Sequence, residues 1–345
     1  MELFEKIMEL SPAELTIQEQ ARVEDNLPEL KWDLYFPSQN VNSTDLKEIT
    51  ETDYRPVADR REWNAPGRNI PLRMGKLRDI SMTPIESYFK FDEKYMTKLF
   101  ERNGMNEEMV LRAIKGNLPD RVSGLVDADY RRIELEAFRG WANGEITVRN
   151  PQTNQEYTVS LDVDANRYVT YGTPWDNTNA YEKLLDELYN AQNYIGNISE
   201  LVMRRSTAIA VQKSAPTIGV NTVRMTLGQV QEQLTQEMGN EITITIEERT
   251  LDVFNGAGTA TTSQKIWPSG KIGFVPANGV VGSTFKAPQI RAQSLAQIAG
   301  DRVDIRGVAV YYLSENDGKE LKVQAQINAL PVPAEQSTYV VDAGV

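Results

Sequence analysis

A few clusters along this chain have the residue types that chemistry needs. Asp162, Asp164 and Asn166 alternate like the first ligands of a calcium loop. The glycine of the tight turn and the closing glutamate of such a loop are missing, so a surface loop is the simpler reading. Asp186 and Glu187 adjoin on a stretch of helical spacing. Paired carboxylates can hydrolyse glycosides, but a chain with 49 Asp and Glu residues makes chance pairs unavoidable, and a solvated helix face accounts for this one. Thr217-Ile218-Gly219-Val220 lacks the Lys-Ser/Thr step of a phosphate loop. Asn255-Gly256-Ala257-Gly258-Thr259-Ala260 has G-x-G without a third glycine, and β-like segments flank it, so it reads as a loop tip. Asn197-Ile198-Ser199 fits a glycosylation sequon, which has no meaning in a cytoplasmic protein.

Composition narrows the chemistry further. The 345 residues include no His and no Cys. Without His the chain lacks the commonest general base and metal ligand, which excludes Ser-His-Asp hydrolysis, imidazole zinc sites and histidine pH switches. Without Cys it has no disulfide, thiolate nucleophile or thiolate metal site. No catalytic residue, cofactor or metal site is therefore expected. The chain is 40% hydrophobic and 25% charged, enough for one large or two moderate cores and close to globular norms. No run of eighteen apolar residues exists, and Met1-Glu2-Leu3-Phe4-Glu5-Lys6 lacks the order of a signal peptide. A cytoplasmic origin with no membrane contact is expected. A net charge of −12 makes a poor general binder of nucleic acid but suits a surface lying beside it.

The elements that would position these residues follow from periodicity. Leu3, Phe4, Ile7 and Met8 share a helical face up to Ser11-Pro12. Leu27 to Ser38, with Leu30, Trp32, Leu34, Tyr35 and Phe36, reads as an extended arm that must dock against something. Thr44 to Thr52 is a short strand or helix. Residues 55–79 contain three prolines and two glycines and are rich in arginine, and the alternation of Ile70, Leu72 and Met74 allows a two-stranded flap. From Thr83 to Trp141 the spacing is helical, with Asp127 capping a helix that carries Tyr130, Ile133, Ala137, Phe138 and Trp141 and ends at Gly140 and Gly144. A hairpin over 145–161 follows. The strongest helical pattern comes after Trp175, where Tyr181, Leu184, Leu185, Leu188 and Ala191 recur up to Gly196. A strand at 201–203, a helix at 206–212 and a helix from Thr226 to Gly239 come next. Strands then dominate at 242–246, 250–254, 271–275, 305–312 and 320–327, with Asn316-Asp317-Gly318 as a hairpin turn.

Charge is uneven. Residues 1–53 carry 13 acidic and 4 basic side chains, whereas residues 55–78 carry seven basic ones against Asp59 and Glu62. An acidic arm beside a basic loop suggests two mating surfaces; two solvated segments are the plain alternative. Trp32, Trp63, Trp141, Trp175 and Trp267 read as core or interface anchors. Trp63 sits among arginines, the composition of a protein–protein hot spot. Stacking on nucleic-acid bases would need further interleaved aromatics, which this loop lacks.

Taken in order, these pieces resemble the lambda-like (E-type) major capsid proteins of tailed bacteriophages. The pieces are Tyr35-Phe36-Pro37, Arg55-Pro56-Val57 opening the Arg/Gly-rich flap, Phe89-Lys90-Phe91-Asp92, Trp141-Ala142-Asn143-Gly144, Trp175, Leu201-Val202-Met203, the Pro-Ser-Gly-Lys-Ile-Gly-Phe-Val-Pro run at 268–276, Gly282-Ser283-Thr284, and Asn328-Ala329-Leu330-Pro331-Val332-Pro333. Little of 213–245 matches beyond a helix. The resemblance implies an α+β Hong Kong-type capsid fold. Its parts would be an N-terminal arm over 1–52, an extended loop over 53–85, a peripheral domain over 86–199 with a long spine helix near 178–195, an axial domain mainly within 200–300, and strands over 301–345 returning to the sheets. Were Met1 the native start, no scaffold segment would have been removed ahead of the arm.

What the resemblance implies for function is a shell subunit that assembles with itself into the hexamers and pentamers of an icosahedral head enclosing double-stranded DNA. It would be a virion component assembled in the bacterial cytoplasm, with decoration, scaffold and portal proteins as further partners. The expected inter-subunit residues are Trp32, Tyr35 and Phe36 in the arm, and Arg55, Arg60, Arg61, Trp63, Arg68, Arg73, Lys76 and Arg78 in the loop. Two alternatives stand beside it: an encapsulin-like nanocompartment of the same fold, and an enzyme, either a carboxylate-based hydrolase or a shell self-crosslinked through Lys–Asn isopeptide bonds.

Overall fold

The computed structural model describes residues 30–53, 73–91, 93–102, 106–149, 155–216, 224–254, 261–289, 302–305, 307–315 and 320–345. The helix expected at 3–10, both glycine-rich loops and the Asn316-Asp317-Gly318 turn lie outside them. In chain order the elements are α1 (Trp32–Tyr35), β1 (Ser38–Asn40), β2 (Asp45–Asp53), β3 (Arg73–Ser81), β4 (Ile85–Phe91), α2 (Glu93–Arg102), α3 (Glu107–Asn143), β5 (Glu145–Arg149) and β6 (Glu156–Ser160). They continue as β7 (Tyr168–Thr170), α4 (Ala180–Ile195), β8 (Ile198–Met203), α5 (Arg205–Ser214), α6 (Leu227–Met238), β9 (Thr243–Ile246), β10 (Thr250–Phe254), β11 (Thr261–Lys265) and β12 (Lys271–Pro276). The last are β13 (Gly282–Ala287), β14 (Arg302–Ile305), β15 (Val308–Glu315), β16 (Glu320–Pro333) and β17 (Val340–Asp342).

Two sheets organise two cores. In the first, β16 is the hub: Leu321–Ile327 pairs with β4, residues 320–326 pair with β15, and Asn328–Pro333 pairs with β13. β14 and β1 complete the sheet at either end. The 37-residue helix α3 lies over it. Val110, Ile114, Leu118, Val122, Val126, Tyr130, Ile133, Ala137 and Trp141 recur every three or four residues and are buried together with Phe91, Val323 and Ala325. This stripe carries the helix through Pro119, because burial along a face outweighs one unfavourable interior residue.

The second core joins α4, α5 and α6 to a five-stranded sheet of order β7-β17-β12-β8-β9. Local sequence sets its helix ends. Thr226 and Gln229 form a reciprocal capping box at the start of α6, and Gly239 ends it at φ 71°. Three further pairs of strands, β2–β3, β5–β6 and β10–β11, join no other sheet among the described residues.

Several expectations are corrected. The helix expected after Trp175 is Ala180–Ile195, with 16 residues in the second core; the segment from Thr83 to Trp141, expected to be helical, holds a longer one, Glu107–Asn143. Asn106, not Asp127, caps the long helix, accepting from the Met109 amide at 3.2 Å. Asp127 lies in its interior and pairs with Arg131 at 2.7 Å. Gly144 ends the helix at φ 72°, whereas Gly140 lies inside it, where a Cβ would come within 2.8 Å of Leu161. Residues 85–91 form a strand, because alternate positions Ile85, Ser87, Phe89 and Phe91 face inward beside β16. The strand and helix readings at 145–161, 201–203, 206–212, 226–239 and 250–254 coincide with β5–β6, β8, α5, α6 and β10.

Candidate assembly surfaces

Residues 31–36 are held by their own subunit. Trp32, Tyr35 and Phe36 are 4%, 7% and 0% exposed. Trp32 stacks on Tyr130 with ring centroids 6.3 Å apart, and Tyr35 meets Phe138 edge-on at 5.7 Å and Trp141 at 5.6 Å. The Tyr35 hydroxyl donates to Glu200 Oε1 at 2.9 Å, and burial pushes its pKa further up, so it stays protonated. Phe36 sits against Gly282, where a Cβ would lie 2.7 Å from the ring. These three side chains thus fill the first core. They were expected at a subunit interface; an aromatic cluster beside an apolar helix face gains more by burial within the chain.

Beneath the arm lies a buried ionic cluster. Arg249 Nη1 is 2.5 Å from Glu134 Oε1, while Nε and Nη2 fork onto Glu247, each 2.9 Å from its nearer oxygen. Glu134 and Glu247 are buried, and Glu134 also accepts from the Lys31 amide at 3.3 Å. Burial raises the Glu134 pKa, and Arg249 opposes that rise. The cluster ties the arm, α3 and the β9–β10 connection together. Sequence reasoning passed over it, although Glu134 falls four residues after Tyr130 and four before Phe138, on the apolar stripe itself.

β2 and β3 form one antiparallel ribbon. Leu46 and Ile80, opposite each other near its base, are buried with Met82, Phe285 and Leu330. Nine residues per strand give it a length of about 30 Å. The register sets Glu48 opposite Arg78, Asp53 opposite Arg73, Lys47 opposite Asp79 and Thr50 opposite Lys76. Over these positions the acidic and basic segments therefore pair within one chain, and the division at residue 52/53 cuts through a single ribbon. Arg73, Lys76 and Arg78 lie on β3. Arg55, Arg60, Arg61, Trp63 and Arg68 lie outside the described residues.

The chemical candidates have structural roles. Asp164 accepts from the Asn166 amide at 3.0 Å and caps a short 3₁₀ turn, and no group of three or more acidic residues among those described is arranged to hold a metal. Glu187 is not on a solvated face: it is buried and accepts from the hydroxyls of Tyr171 and Tyr339. Trp141, Trp175 and Trp267 are fully buried, and Trp141 and Trp267 meet edge-on at 4.9 Å. No helix among the described residues is long and apolar enough to cross a membrane.

Two packed sheets, a long helix lying over one of them and paired strands outside both define an α+β fold of the Hong Kong capsid type. Among solved structures, a protein assigned as the capsid protein of a prophage of Escherichia coli CFT073 is similar over 96% of this chain and 99% of its own, with a TM-score of 0.55 at 12% identity. A phage-related protein of Bordetella bronchiseptica RB50 is similar over 96% and 97% at 12% identity and a TM-score of 0.48. The capsid of Myoviridae phage XM1 is similar over 87% and 85% at 11% identity and a TM-score of 0.47. No protein-family model and no curated protein matches the sequence.

Proposed function

We propose that this chain is the major capsid protein of a tailed phage, assembling with itself into the hexamers and pentamers of an icosahedral head around double-stranded DNA. The observation that carries the reading is the end-to-end likeness of fold to the prophage protein, which leaves neither chain with a large unmatched domain. The ribbon β2–β3 supports it. Strands that join no other sheet among the described residues and are anchored at their base offer edges and faces that a neighbour can cover. Closed shells need such heterologous contacts, and many weak ones add through multivalency.

In this reading the chain is a structural subunit and not an enzyme. Its place is the virion, after assembly in the host cytoplasm, and decoration, scaffold and portal proteins are its further partners. The net charge of −12 keeps the shell from gripping packaged DNA. Negative-stain imaging of the purified chain tests the reading. Closed particles are expected, and particles recovered from infected or induced cells should contain DNA. Enzyme cargo in place of DNA would indicate a nanocompartment, and a chain that stays monomeric at high concentration would end the proposal.

A further inference from the structure

The sheet β7-β17-β12-β8-β9 stands between the two cores, and a short segment from far along the chain closes it. Val340 is buried in the first core, while Tyr339, Val341 and Ala343 are buried in the second, as alternation along a strand requires. β17 is only three residues long, yet it carries β7. Val340–Asp342 pairs in parallel with Tyr168–Thr170 on one side and antiparallel with Lys271–Gly273 on the other. Among the described residues β7 pairs with no other strand. Backbone bonds extend both seams. The Tyr171 amide donates to the Asp342 carbonyl at 3.4 Å and the Trp175 amide to the Ala343 carbonyl at 2.8 Å. On the other side the Ala343 amide donates to the Gly270 carbonyl at 2.7 Å and the Phe274 amide to the Tyr339 carbonyl at 3.1 Å. Residues 338–343 thus hold 168–175, the connection that leads into α4, against the sheet.

The seat of this segment is polar where a permanent core would be apolar. The Glu187 carboxylate is 3% exposed and accepts from Tyr171 on one side of the seam and from Tyr339 on the other. Burying a carboxylate has a desolvation cost that hydrogen bonds offset only in part, and lifting the segment returns Glu187 to water. Against that stands the burial of Tyr339, Val341 and Ala343. The 3₁₀ turn Glu335–Ser337, just before the segment, contains no buried residue and supplies a hinge. Few residues, a solvatable anchor and an exposed hinge are the marks of a unit that opens before the rest of the fold does.

We propose that residues 338–343 are a strap whose closure makes the subunit competent to assemble, an inference that rests on the shell reading. With the strap open, residues 168–175 lose their fixed place beside the sheet; with it closed, the subunit has the one shape that a ring of heterologous contacts needs in every copy. Hydrogen exchange on the unassembled wild-type subunit reads the strap without a shell. The amides of Tyr171, Trp175, Phe274 and Ala343 should exchange at least tenfold faster than those bonded between β15 and β16, and should slow in particles. Equal protection in the free subunit would make the segment a permanent part of the fold, overturning the strap and leaving the shell reading intact. A wild-type chain that never forms particles would sink both.

A rescue experiment separates closure of the strap from the chemistry of one side chain. Tyr339→Ala should raise the subunit concentration needed for particles about tenfold or more, because it removes both the donor to Glu187 and the apolar ring. Lys271 and Asp342 are opposite each other between two hydrogen-bonded positions, where Cα atoms lie about 4.5 Å apart, within reach of a disulfide. The chain has no cysteine, so Lys271→Cys with Asp342→Cys gives a single lock. Added to Tyr339→Ala, the pair should restore a threshold near that of the wild type when oxidised and not when reduced. In the wild-type background the oxidised pair should leave the threshold unchanged. A normal threshold in Tyr339→Ala, no rescue on oxidation, or a lock that blocks assembly by itself would each overturn the strap.

Discussion

The Tyr339 hydroxyl donates to Glu187 Oε2 at 2.5 Å, linking the C-terminal segment to helix α4 across 152 residues of sequence. The Tyr171 hydroxyl donates to the other oxygen of the same carboxylate. Burial first, and the carboxylate second, raise the pKa of both phenols, which keeps them as donors. Tyr339 also stacks on Tyr194 at 5.6 Å, so the C-terminal end of the chain is held by packing as well as by hydrogen bonds.

Tyr339→Phe keeps the ring and removes one donor from a buried carboxylate. The expected loss is about 1–3 kcal/mol in urea unfolding, the usual result of leaving a buried acceptor unsatisfied. A change within error would mean that water takes the place of the hydroxyl.

Arg249→Met should be harsher. It leaves Glu134 and Glu247 buried without their cation, and breaking one side of such a cluster costs about 3–5 kcal/mol. Adding Glu134→Gln and Glu247→Gln should recover much of that loss. A double-mutant cycle in urea measures the coupling, and additive effects would argue that the three residues act independently.

Asp129 predicts a pH dependence. It is buried on α3, and burial raises its pKa to about 8; a hydrogen bond with Ser87 opposes the rise and the charge of Glu86 adds to it. In the unfolded chain the acid ionises near its ordinary value of about 3.9. Between about pH 4 and about pH 8 the folded chain keeps a proton that the unfolded chain has lost, so this residue lowers stability as pH rises through that window. Asp129→Asn removes the contribution. The variant should gain on the wild type between pH 5 and pH 8 in urea unfolding free energy, and an equal difference at both pH values would refute the assignment.

Gly282→Ala tests the seat of the arm. A Cβ there would lie 2.2 Å from the Val332 carbonyl and 2.7 Å from the Phe36 ring. Backbone cannot yield as a flexible side chain does, so a loss at or above about 1–3 kcal/mol is expected, with earlier proteolysis at Lys31. A variant as stable and protease-resistant as the wild type would show that β13 and β16 can separate without penalty.

The arginine-rich segment gives a prediction from composition. Trp63→Ala, or Arg60→Glu with Arg61→Glu, should leave thermal unfolding of the subunit unchanged and lower particle yield. Normal particles in normal yield from these variants would remove the segment from the assembly contacts.

Signals that act within a few residues were legible before folding was considered. The lack of His and Cys excluded whole classes of chemistry. The Thr226–Gln229 box, the stops at Gly196 and Gly239, and the alternation of Tyr157 and Val159 placed α6, the end of α4 and β6, because caps, turns and pleats depend on neighbouring backbone groups. Burial, by contrast, depends on which distant segment arrives. The arm at Trp32–Phe36 met its own helix, residues 85–91 became a strand because β16 lay alongside, and one helix ran through Pro119 because a sheet covered its apolar face. Glu187 looks like a surface glutamate in one dimension, and Glu134, though it falls on the apolar stripe, has no partner nearby in the sequence. Arg249 and Tyr339, brought from far along the chain, are what make their burial stable, and no local pattern encodes a partner more than a hundred residues away.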